Sequence, residues 1–64
     1  MRLYFWESNR VTLIVVAPDL RSARRQIRRE SDAAIVSLSL DPPFRSWTLK
    51  DNPKNRPSVV SFQR

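Results

Sequence analysis

Leu3-Tyr4-Phe5-Trp6-Glu7-Ser8-Asn9-Arg10-Val11-Thr12-Leu13-Ile14-Val15-Val16-Ala17 decides the fold. Aromatic and β-branched side chains fit a pleated, half-buried surface, and both apolar runs are too short to prefer a helix. Glu7 to Arg10 supplies turn residues between them. In a chain with no glycine, Asn9 is the residue expected in the left-handed conformation. A β-hairpin follows.

Pro18-Asp19 punctuates the end of the hairpin, and either residue can open a helix, Asp19 as N-cap or Pro18 at the first helical position. From Leu20 to about Glu30 the apolar positions Leu20, Ala23 and Ile27 are spaced three and four apart, which predicts a short amphipathic helix ending near Ser31-Asp32. Ala34 to Leu40 then alternates, with Val36, Leu38 and Leu40 on one side and Ile35, Ser37 and Ser39 on the other. The pattern predicts a third strand, stopped by Asp41-Pro42-Pro43. Trp47 to Lys50 and Ser58 to Phe62 read as two further strands, a C-terminal hairpin around a polar loop over 51–57.

The predicted class is α+β, in the order ββαβ(ββ): a small antiparallel or mixed sheet with one helix packed on one face. At 64 residues it is a single domain. A chain this short buries only about 60% of the surface its unfolded form exposes. One helix covers one sheet face, yet both hairpin strands are apolar on both sides. The second face therefore needs a cover. The C-terminal segment with Phe44, Trp47 and Phe62 is the expected one, and a homodimer is the other candidate.

Twelve Lys and Arg against six Asp and Glu give a net charge of +6, with no His and no Cys. These absences exclude disulfides, thiolate nucleophiles, imidazole bases and zinc clusters, and the lack of glycine excludes phosphate-cradling loops. The six carboxylates form no close-spaced ligand motif, and the eight serines have no histidine partner. Neither a cofactor nor a metal is expected, and the chain reads as a binding protein rather than an enzyme. No apolar run is long enough for a membrane span, and Met1 to Glu7 lacks the form of a secretory signal. A cytoplasmic protein that does not engage a membrane is expected.

Five arginines lie on the predicted helix: Arg21, Arg24, Arg25, Arg28 and Arg29. With Leu20 at zero they fall at about 100, 40, 140, 80 and 180°, one arc beside the apolar stripe. Three like-charged pairs stand four apart, and neither Asp19 nor Glu30 is three or four residues from any of the five. Such an arc suits phosphate, since guanidinium forks match its geometry. Lys54 and Arg56, in the loop, form a second candidate contact. The expected partner is nucleic acid, DNA or RNA; the alternative is an acidic protein or ribonucleoprotein surface. The competing account of the arc is a solvated face built from a good helix former.

From Phe44 to Arg64, aromatics alternate with cations, a pattern that can stack bases in single-strand binders. The need for every large aromatic in so small a core argues instead that Trp47, alternating with Leu49, is buried. In architecture, a minimal hairpin–helix–strand domain with an arginine-rich helix, the chain resembles small proteins of phages and mobile elements, some anti-CRISPR inhibitors among them. That resemblance implies a protein-interaction or inhibitor module and assigns no residue a role.

Overall fold

A computed structural model describes residues 1–50 and 55–63. The hairpin forms as expected from β1 (Arg2–Glu7) and β2 (Val11–Ala17), with Phe5 opposite Ile14 and Glu7 opposite Thr12. Its turn is made without the left-handed residue expected at Asn9, since no described non-glycine residue has positive φ. Ser8 takes over the turn. Its N–H donates to the Val11 carbonyl at 2.8 Å, and its hydroxyl oxygen accepts from the N–H groups of Val11 and Arg10. A serine hydroxyl thus satisfies loop donors locally.

Helix α1 (Leu20–Glu30) starts where Asp19 caps it, the carboxylate accepting from Ser22 N–H at 2.7 Å. Ala23 and Ile27 point inward and are fully buried. Ser31 ends the helix in an extended conformation.

The expected third strand is wrong. Ala33–Ser39 is a second helix, α2. Asp32 caps it by accepting from Ile35 N–H at 3.1 Å. The buried residues, Ile35 and Ser39, stand four apart, which is one face of a helix. Ser39 reads as polar in sequence, but its hydroxyl donates to the Val36 carbonyl at 2.7 Å and can therefore be buried. The half-buried Val36 and Leu38 pack against the core from neighbouring positions.

Both C-terminal strands form, β3 (Arg45–Thr48) and β4 (Ser58–Gln63). They do not pair with each other as a hairpin. The sheet order is β3-β1-β2-β4, all antiparallel, so they extend the first hairpin on opposite edges. The class is α+β as expected, with two helices on one face of a four-stranded sheet.

That face carries the core: Tyr4, Trp6, Val11, Leu13, Val15 and Ala17 from the hairpin against Ala23, Ile27 and Ile35 from the helices. Paired residues in an antiparallel ladder share a face. The register therefore sets the opposite face in rows, Trp47–Leu3–Val16–Ser58, then Arg45–Phe5–Ile14–Val60, then Glu7–Thr12–Phe62. No described element covers these rows. Of the expected C-terminal cover, Trp47 and Phe62 instead became part of the sheet and Phe44 only meets Phe5 at its edge. Trp47, expected in the core, is 46% exposed, with Phe62 at 56%.

Candidate nucleic-acid interface

Helix α1 packs on the core through Ala23 and Ile27, with Leu20 half-buried beside them, and it contacts β2, β4 and α2. Arg21, Arg25, Arg28 and Arg29 are exposed. No ion pair involving these four forms among the described residues. Glu30 is exposed at the helix end, and Asp32, beyond the Ser31 cap, is turned to capping α2. The nearest acid in effect is Asp19. Its carboxyl is held below its ordinary value by the Ser22 backbone and side-chain hydrogen bonds, and further by the charges of Arg21 and Arg25.

Arg24 differs from the other four. It lies nearest the apolar stripe and is half-buried. Its Nε donates to the Ser39 carbonyl at 2.9 Å and its Nη2 to the Asp41 carbonyl at 3.3 Å. A charged donor thus closes the C-terminal end of α2, where helix carbonyls lack intrahelical partners. The sequence placed Arg24 in the arc correctly but carried no sign of this second role, because the helix it caps reads as a strand.

The arc is continuous in space. Arg21, Arg24, Arg25 and Arg28 line a shallow cleft together with Leu20. Arg25 and Arg29 border a second hollow with Pro18, Ser22, Gln26 and Pro57. Pro57 thus lies alongside α1, and the exposed Arg56 precedes it. Lys54, the other expected loop contact, lies outside the described residues.

Arg2, which the sequence reading left unassigned, is tied down by donating to Thr48 Oγ1 at 3.0 Å and Ser46 Oγ at 3.2 Å, joining β1 to the edge strand β3. Arg45 lies over the Phe44 ring, 5.7 Å from its centroid, on the far side of the sheet from the helices. Among the described residues of the two helices, the exposed cations are Arg21, Arg25, Arg28 and Arg29.

No family model, curated protein or solved structure matches this chain.

Among the described residues no three His, Cys, Asp or Glu side chains gather as metal ligands, and no helix is long and apolar enough to cross a membrane. What the arc offers chemically is a set of planar, permanently charged donors on a rigid helix. It suits an anion that presents repeated oxygens.

Proposed function

We propose that this chain is a non-enzymatic binding protein whose α1 arginine face docks on a polyanion, most simply nucleic acid. The observation that carries the reading is the solvated set Arg21, Arg25, Arg28 and Arg29, gathered on one helix with no ion pair among the described residues and only the Asp19 cap as an acidic neighbour of Arg21 and Arg25. Like charges four apart on a helix repel by roughly 0.2–0.5 kcal/mol per pair. A phosphate backbone relieves that repulsion and gains from counterion release. The four span about 12 Å of helix axis, so one docking event engages them together.

Four phosphate contacts predict a slope of about −3.6 for log affinity against log salt on a duplex, roughly a 150-fold loss for a fourfold rise in salt. Fluorescence anisotropy with mixed-sequence DNA and RNA measures it. Undetectable binding at low salt contradicts the proposal. Recovery of one acidic protein from a host lysate under the same conditions would move the arc to a protein partner.

A further inference from the structure

The face of the sheet turned away from the helices has an apolar centre and a polar margin. Leu3, Phe5, Ile14, Val16 and Val60 fill the middle, Trp47 and Phe62 stand at opposite corners, and Glu7, Thr12, Arg45 and Ser58 lie at the ends or edges. The Phe44 ring adds to one edge, 6.1 Å from Phe5, and Trp47 meets Phe5 edge-on at 6.5 Å. Phe44, Trp47, Val60 and Phe62 are between 45% and 64% exposed. We infer that this face is the interface of a symmetric dimer, its occupant being the same face of a second copy.

The area is the first argument. Large aromatics bury about 150–250 Å² each, so Trp47, Phe62 and Phe44 alone leave roughly 300 Å² uncovered. With Val60 and the half-buried Leu3, Phe5, Ile14 and Val16 the apolar surface reaches about 400–500 Å² per copy. That is at the upper end of what a monomer exposes. Two copies face to face remove about 800–1,000 Å², and the polar margin brings the total to the roughly 1,000 Å² or more of a specific interface. An apolar centre inside a polar rim is also the anatomy of such an interface.

Charge is the second argument. The rows hold one acid, Glu7, and one base, Arg45, so the face itself is near neutral although the chain carries +6. Stacking the sheets makes four layers, helix–sheet–sheet–helix, with the two α1 arcs on the outer surfaces. At about 10 Å per layer they stand roughly 30 Å apart, well beyond the screening length of about 8 Å at physiological salt. The charge does not oppose the pairing. A single nucleic-acid strand fits this face less well, because stacking platforms need a cationic track. Arg45 is the sole cation in the rows, and it already lies over Phe44.

The third is stability. All of the buried apolar residues among those described lie on one side of the sheet, and a chain of this length gains little margin from a one-sided core. The second copy supplies the missing layer.

Light scattering on the whole chain across a wide concentration range tests the inference, with salt raised to screen the arginines. The expected mass is twice the 7.5 kDa of one chain. Trp47→Lys/Val60→Lys should return it to a single chain mass, with the far-ultraviolet dichroism and the emission of the buried Trp6 unchanged. Val60→Lys alone, a milder change at an edge position, should weaken dimerisation at least tenfold. Arg25→Glu/Arg28→Glu should remain dimeric, which separates this inference from the proposed function. A single-chain mass for the unsubstituted protein at every concentration overturns it, as does a dimer indifferent to both lysine variants. A single-chain mass combined with oligo(dT) binding that quenches Trp47 overturns it as well, and assigns the face to a nucleic-acid strand.

Discussion

Arg24 Nε donates to the backbone carbonyl of Ser39 at 2.9 Å, joining the arginine helix to the end of the helix that follows it. One member of the arc is thereby part of the scaffold that holds the others. Charged-group hydrogen bonds contribute roughly 1.5–3 kcal/mol. Arg24→Ala should cost about 1–3 kcal/mol of stability, whereas Arg28→Ala, at an exposed position, should stay within about 0.5 kcal/mol. For a domain of this size each kcal/mol corresponds to about 4–8 °C in Tm, so thermal denaturation separates the two.

The Asp41 carbonyl accepts twice, from Arg24 Nη2 at 3.3 Å and from Trp6 Nε1 at 3.0 Å. It therefore clamps the loop after α2 between α1 and β1. Trp6→Phe should cost about 2–4 kcal/mol on its own, from the lost bond and the cavity left by the buried indole, while Arg24 still satisfies the carbonyl. In the double variant Trp6→Phe/Arg24→Ala both donors are gone. A double-mutant cycle by denaturant titration should show a coupling of at least about 0.5 kcal/mol, the pair losing more than the sum of the singles.

Asp19 gives the fold a pH dependence of known sign. Its carboxylate accepts from Ser22 N–H at 2.7 Å, and its pKa lies below the ordinary 3.8. A depressed folded-state pKa means the cap contributes fully above the ordinary value and fades as pH falls through the lowered one. Tm measured from about pH 5 down to about pH 2 should drop more steeply for the unsubstituted chain than for Asp19→Asn, which caps without titrating. Parallel profiles would contradict this.

The second helix marks where sequence reasoning stopped. The hairpin was legible because both of its faces are apolar and β-branched, and α1 because Leu20, Ala23 and Ile27 keep helical spacing. Ala34 to Leu40 misled because Val36, Leu38 and Leu40 alternate with serines, while the buried pair is Ile35 and Ser39. Burial of Ser39 depends on the Val36 carbonyl accepting its hydroxyl, a bond that exists only once the helix has formed. Asp32 before Ala33-Ala34 was the available clue, an N-cap ahead of good helix formers. Asp32→Ala should therefore cost about 1 kcal/mol and lower the helical dichroism.

The edge strands carry a second lesson. β3 and β4 were located, but their partners were not, because pairing two late strands with each other or with the outer edges of an early hairpin leaves the same local alternation. That ambiguity also hid the exposure of Trp47 and Phe62. Of the candidate site, the arc of Arg21, Arg25, Arg28 and Arg29 was legible from helical geometry alone; the bonds of Arg24 were not.

The most direct measurement is a paired salt titration of nucleic-acid binding by the unsubstituted chain and by Arg25→Glu/Arg28→Glu. Both positions are exposed, and neither side chain makes a hydrogen bond or ion pair among the described residues. The account predicts that the variant keeps its thermal stability, binds at least tenfold more weakly at low salt, and shows a salt slope shallower by about 1.8. Unchanged affinity and an unchanged slope in a folded variant would contradict it.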